Sequence, residues 1–105
     1  MDIQHTGKDF DLTDAIRTHA EDKLRKACHQ LDGVQGVRMH VTYETIGHGS
    51  HGDNRAVGVV LFVPHGEPLK AYEATDDLYA TIDLAAKDIE RQVRRYRERQ
   101  LSHRA

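Results

Sequence analysis

Between Asp76 and Arg99 the apolar residues Leu78, Ile82, Ala85, Ile89, Val93 and Tyr96 recur at steps of three and four. On a helix of 3.6 residues per turn that spacing draws a single apolar stripe. At about 100° per residue, Lys87, Arg91 and Arg94 project from nearly the opposite side, with Arg95 on the flank. One face of the helix must therefore be covered, and the other is cationic. Asp76 and Asp77 stand where a helix start wants an acceptor and negative charge, and Arg94, Arg95, Arg97 and Arg99 crowd its last turns. Arginines at a helix C-terminus also serve merely to complement the macrodipole. This helix alone does not decide between a solvated face and a binding face.

The preceding chain supplies what the helix packs on. Asp2 to Thr6 reads as a short strand closed by Gly7, with Ile3 its one strongly apolar residue. Thr13 or Asp11 caps a first helix in which Ile16, Ala20, Leu24, Ala27 and Leu31 form a second stripe. Lys23 and Lys26 flank that stripe on one side, Arg17 and Arg25 on the other. Gly33 and Gly36 mark its end. Val37 to Thr45 alternates, with Val37, Met39, Val41 and Tyr43 on one side and Arg38, His40, Thr42 and Glu44 on the other, the signature of a half-buried strand. Residues 47–54 contain no apolar side chain and read as a loop. Arg55 to Val63 and Leu69 to Ala74 are two further strands, separated by a turn whose Pro64 and Pro68 exclude regular structure.

The order is β-α-β-β-β-α, an α+β fold: a four-stranded mixed sheet, its first crossover joining parallel strands, the rest an antiparallel meander. Both amphipathic helices need cover, which one sheet supplies if they lie side by side on the same face. That arrangement brings their cationic flanks together. The expected site is accordingly Arg17, Lys23, Arg25, Lys26, Lys87, Arg91, Arg94 and Arg95, a rigid set of cations suited to RNA phosphates, with arginine forks binding oxygens bidentately and lysines acting as point charges.

The net charge of −2 does not oppose this reading, because it is unevenly spread. Residues 87–105 carry a balance of +4 and residues 13–31 a balance of +1, leaving −7 for the remainder. A dipolar molecule binds a phosphate backbone locally. At 105 residues the chain makes one domain, expected over 1–100 with a short tail at 101–105. It has no apolar run long enough to span a membrane, and its polar, acidic start does not read as a signal peptide. Its one cysteine, Cys28, lies beside an apolar stripe and reads as a small buried hydrophobe. A cytoplasmic protein is expected.

Other motifs carry less. Residues 47–52 match G-x-G-x-x-G, but a dinucleotide fingerprint needs a helix opening at its end, and here a strand follows. His48 and His51, with His40 and His65, have no cysteine beside them and no ordering core, so no metal is expected. Ser50, Ser102 and Cys28 lack an evident activating base. Tyr79 and Tyr96 read as core or boundary packing. No enzyme and no cofactor is expected.

Several segments, taken in order, resemble the ribosome hibernation promoting factor family, which includes the ribosome-associated inhibitor A proteins and the sigma-54 modulation proteins. They are Thr6-Gly7, Leu12-Thr13-Asp14-Ala15-Ile16-Arg17, Lys23-Leu24 with Lys26, Asp77-Leu78-Tyr79-Ala80-Thr81-Ile82-Asp83, and Arg91-Gln92-Val93. Thr81 stands where such proteins commonly have Ala, a small change on a helix, and Asp88 where they often have Lys. The resemblance implies a fold akin to double-stranded-RNA-binding domains. It also implies a bacterial protein that binds the small (30S) ribosomal subunit and its rRNA near the decoding centre, occludes tRNA and mRNA, and suppresses translation in stationary phase or stress. A ribosome modulation factor is a further implied partner, and a monomeric short form without a dimerisation domain is expected. Two rivals share parts of this pattern: a generic double-stranded-RNA-binding module, and a protein–protein module acting on a sigma factor, which would need an exposed apolar patch.

Overall fold

The computed structural model describes residues 1–47 and 52–102. Strand β1 (Asp2–Lys8) leads into helix α1 (Asp14–Ala27), a single 3₁₀ turn (His29–Leu31), strands β2 (Arg38–Thr45), β3 (Arg55–Phe62) and β4 (Leu69–Thr75), and helix α2 (Leu78–Ser102). The sheet order is β1-β2-β3-β4, with β1 parallel to β2 and the other pairs antiparallel. The expected mixed sheet is formed. Residues 48–51, including His48, Ser50 and His51 of the glycine-rich loop, and the last three residues of the expected tail lie outside the described residues.

Both apolar stripes are buried against one face of the sheet. Ile16, Ala20, Leu24 and Ala27 of α1 and Leu78, Ile82, Ala85, Ile89, Val93 and Tyr96 of α2 join Met39, Val41, Tyr43, Val57, Val59, Leu61, Leu69 and Ala71 in a single core. Ala20 and Ala27 of α1 and Ala85 and Ala86 of α2 are small buried residues of the two helices.

Two local details depart from the sequence reading, and Tyr79 takes the boundary place that it allowed. Helix α1 stops at Ala27, and Leu31 reaches the core through the 3₁₀ turn, where the N–H of Leu31 bonds the Cys28 carbonyl at 2.8 Å. The continuous stripe through Leu31 thus belongs to two elements, because 3₁₀ winding still returns an apolar residue to the same side. Helix α2 runs through Ser102, three residues past the expected Arg99. Tyr79 is 42% exposed and sits edge-on to His19 at 5.0 Å, outside the core that holds Tyr96.

The caps follow the sequence. Thr13 Oγ1 accepts the Ile16 N–H at 3.2 Å, and the Asp77 carboxylate accepts the Tyr79 N–H at 3.0 Å. Gly7 is required for space: a Cβ there would lie 2.7 Å from the Phe10 carbonyl oxygen, where the chain folds back toward α1.

Two buried polar arrangements pin the layers. Thr81, fully buried, places Oγ1 2.9 Å from the Arg55 carbonyl, 3.0 Å from the Asp77 carbonyl and 2.7 Å from Thr75 Oγ1. Its one proton satisfies one acceptor at a time, yet the cluster joins the start of α2 to the β3–β4 end of the sheet. Thr in place of Ala is therefore more than the small change expected. At the other edge, His5 lies on the inner face of β1, its Nδ1 2.8 Å from Tyr43 Oη and its Nε2 2.9 Å from Glu21 Oε2. Its ring stacks on Tyr43, which Phe10 flanks from another side. Burial, then the Glu21 charge, pushes the Tyr43 phenol above its ordinary range. The His5 hydrogen bond, outweighing burial and aided by Arg25, holds Glu21 below the usual carboxylate value.

Candidate nucleic-acid interface

The expected cations all lie on α1 and α2, and the structure sorts them into three groups. The first lies between the helices. Lys23 and Lys26 of α1 and Lys87 of α2 rim a groove of about 460 Å³, lined also by Ala27 and Ala86, with Asp83 and Glu90 on its α2 side. The two carboxylates are engaged. Asp83 Oδ1 lies 2.9 Å from His19 Nε2, a contact that ties the helices together, and Glu90 Oε1 is 3.7 Å from Arg94 Nη2. Lys26 is paired with Asp22 at 3.3 Å. Lys23 and Lys87 have no carboxylate within salt-bridge distance among the described residues.

The second group lies on the other flank of α2, above β4. Arg91, Arg95 and Arg99 line a groove of about 420 Å³ together with Leu69, Asp88 and Gln92. Their spacing of four residues sets them roughly 6 Å apart along the axis. Gln92 Nε2 donates to the Lys70 carbonyl at 2.7 Å, fixing this flank to the outer edge of β4. The Asp88 carboxylate accepts from Arg91 at 2.6 Å and from Gln92 at 3.2 Å. An acid at position 88 thus holds a neighbouring arginine in place and reduces the charge it presents.

The third group is Arg17 and Arg25, which share the flank of α1 that faces β1. Arg25 donates to the Met1 carbonyl at 2.9 Å and to Glu21 at 3.2 Å. Arg17 lies near Asp14, at 3.9 Å. The single merged surface expected from the sequence is therefore corrected. Lys23, Lys26 and Lys87 converge across the helix pair, with Arg94 beside them; Arg91 and Arg95 occupy a separate groove; Arg17 and Arg25 turn toward the β1 edge. The reason is helical geometry: residues 17, 21 and 25 fall on one side of the buried stripe and 19, 23 and 26 on the other, so only one side meets α2.

Arg99 and Gln92 line the groove above β4 and are absent from the expected set. The run 91, 95, 99 was visible as an i, i+4, i+8 series. The clamp between His19 and Asp83 had no local signal, its partners being 64 positions apart. Cys28 is buried as expected, its thiol pushed up to about 12 by burial and the nearby Asp32 charge.

A family model described as sigma 54 modulation protein / S30EA ribosomal protein matches residues 3–101. The chain belongs to that family. Among relatives of this S30EA-family chain, a ribosome hibernation promotion factor from Staphylococcus aureus (strain COL) is 36% identical over 94 residues. The match takes in 89% of this chain and 46% of the relative, so the chain spans about half that protein's length. Among solved structures, the N-terminal domain of Thermus thermophilus Protein Y superposes with a TM-score of 0.76 at 30% identity, covering 91% of this chain and 99% of that one. A ribosomal subunit interface protein from Coxiella burnetii gives 0.72 at 26% identity, covering 93% and 99%. The four-stranded sheet with two helices agrees with these likenesses.

Proposed function

We propose that this chain is a ribosome hibernation factor. It docks its helical side on the small ribosomal subunit near the decoding centre, occludes tRNA and mRNA, and so suppresses translation in stationary phase or stress. The observation that carries the reading is the pair of cationic grooves flanking α2, one of which needs lysines from both helices. The family membership and the names of the relatives point the same way. Folded rRNA presents mainly phosphates and 2′-hydroxyls, which a rigid set of cations matches better than a base-reading code. The action is steric and makes or breaks no bond, so the protein is no enzyme and needs no cofactor. It works in the cytoplasm, where its ribosomal partner is found. Lys23, Lys26, Lys87, Arg91, Arg94 and Arg95 are the primary contacts, and Arg17 and Arg25 extend them toward the β1 edge.

Sedimentation through a sucrose gradient tests this. The purified protein should travel with isolated small subunits, and the bound fraction should fall steeply as salt rises, on the order of one log–log unit per phosphate neutralised. A protein that remains at the top of the gradient, or one displaced equally well by plain duplex RNA, overturns the ribosomal reading. The latter outcome leaves a general duplex-RNA module.

A further inference from the structure

We propose that the open face of the sheet, on the side away from the helices, is a second RNA-contacting surface: a stacking platform for a short single-stranded segment, centred on Tyr72. It goes beyond the helical dock and lies on the opposite side of the molecule.

The strand register lays this face out as a grid. One row across the sheet holds Arg38 beside Phe62, the next His40, Val60 and Lys70, and the next Thr42, Gly58 and Tyr72. The aromatic residues fall on β3 and β4. Tyr72 is 59% exposed, the most exposed large apolar side chain among the described residues. One side of its ring region is accounted for structurally: it lies over Gly58, where a Cβ would meet Tyr72 Cδ2 at 3.7 Å, and so fills the gap left by a strand glycine. Packing over Gly58 leaves most of the side chain free. Beside Tyr72 a recess of about 200 Å³ is lined by Gly58, Ala56, Thr42, Lys8 and Glu44, and its small residues leave room for a flat ring. At the other end of the strip the Arg38 guanidinium sits 3.9 Å from the centroid of the Phe62 ring. This stack presents a second flat, cationic surface. Bases splayed from a single strand stack on aromatic rings and on arginine planes of this kind.

Charge selects the occupant. On the β3–β4 half of this face the outward residues are Ala56, Gly58, Val60, Phe62, Lys70, Tyr72 and Ala74, one lysine and no carboxylate, and Arg38 leans over that half from β2. The two carboxylates of the face, Asp2 and Glu44, lie on β1 and β2 opposite Arg38 and Lys8 in the register. Lys8, Arg38 and Lys70 border the aromatic strip, and the nearby acids, Glu44 at the recess and Asp2, each face a cation in the register, a balance that suits a polyanion with planar bases. Phe62 and Tyr72 lie two rows apart, roughly 13 Å along the strands, with Lys70 in the row between. That reach accommodates about three nucleotides of an extended strand, with a phosphate near Lys70.

The test uses the full chain carrying Arg91→Glu and Arg95→Glu, which removes the arginine groove of the helical side, and hexamers of uridine and of adenosine as probes. In an amide NMR titration Gly58, Val60, Lys70 and Tyr72 should shift, and the adenosine hexamer should bind more tightly because adenine stacks better. Tyr72→Ala should weaken binding roughly tenfold, while Tyr72→Phe, which keeps the ring, stays within about twofold. Lys70→Glu, distant from the core, should weaken it as well. Shifts confined to the helices, or equal affinity for Tyr72→Ala and its parent, overturn the proposal. So does movement of these same amides with protein concentration and not with RNA, which would mark a contact between copies of the chain. The helical reading is judged separately: the Tyr72→Ala single variant should still sediment with small subunits whichever way the titration falls.

Discussion

The two grooves beside α2 carry similar charge and are built differently. Above β4, Arg91, Arg95 and Arg99 come from one helix, at a spacing that requires only helical geometry, and Gln92 secures that flank to the Lys70 carbonyl. Between the helices, Lys23, Lys26 and Lys87 meet only because α1 and α2 share a sheet face, and Asp83 and Glu90 share the rim. The arginine groove thus offers forked, directional donors on a single rigid rod, while the lysine groove offers mobile point charges beside acids. A polyphosphate partner should take most of its affinity from the first groove and much of its placement from the second.

The comparison breaks most visibly if the arginine side proves dispensable. Replacing Arg91 and Arg95 together with Glu should cost about 3–6 kcal/mol of subunit binding, read as loss of co-sedimentation. The circular dichroism spectrum should remain that of the parent, because both side chains are exposed. A larger loss from the equivalent reversal of Lys23 and Lys87 would invert the ranking. Thr81 joins the start of α2, a helix that lines both grooves, to the sheet. Thr81→Val keeps the shape and removes the hydroxyl, and it should lower stability to urea by about 1–3 kcal/mol. Removing Lys23 and Lys87 as Ala should weaken subunit binding about tenfold and reduce the log–log salt slope by about two units. An unchanged slope would show that the lysine groove meets no phosphate.

The smallest effect concerns the flank that belongs to neither groove. Glu21, held low by His5 and Arg25, contributes stability that is present above the ordinary carboxylate value of 4.5 and is lost as pH falls through its depressed folded value. Its side chain is 32% exposed, so screening limits the contribution to a few tenths of a kcal/mol. Urea midpoints at pH 6 and pH 3 should therefore differ slightly more for the parent than for Glu21→Gln. Identical differences would sever the link between this flank and β1.

Much of the architecture was legible along the chain. The stripes of α1 and α2, the alternation of β2 and the caps at Thr13 and Asp77 are local patterns, written within a few residues of one another. What escaped was nonlocal. His5 lies in a short strand whose one strongly apolar residue is Ile3, and its partners Tyr43 and Glu21 are 38 and 16 positions away. Thr81 looked like an alanine substitute until the Arg55 carbonyl, 26 positions earlier, came within reach. The alternation of β2 did not reveal that the β3–β4 register gathers the half-buried Phe62 and Val60 with the exposed Tyr72 into one strip. A strip assembled from two strands in this way could not be read from spacing alone.

The sequence by itself determined which residues each helix buries and that its other faces carry cations, because helical periodicity is a property of the backbone. It also put Arg17 and Arg25 on one side of the first stripe and Lys23 and Lys26 on the other. Only the tertiary structure decided which side meets the second helix: packing two stripes on one sheet face leaves a single interhelical seam. The lysines entered that seam, Arg17 and Arg25 turned to the β1 edge, and α2 became a ridge between two grooves.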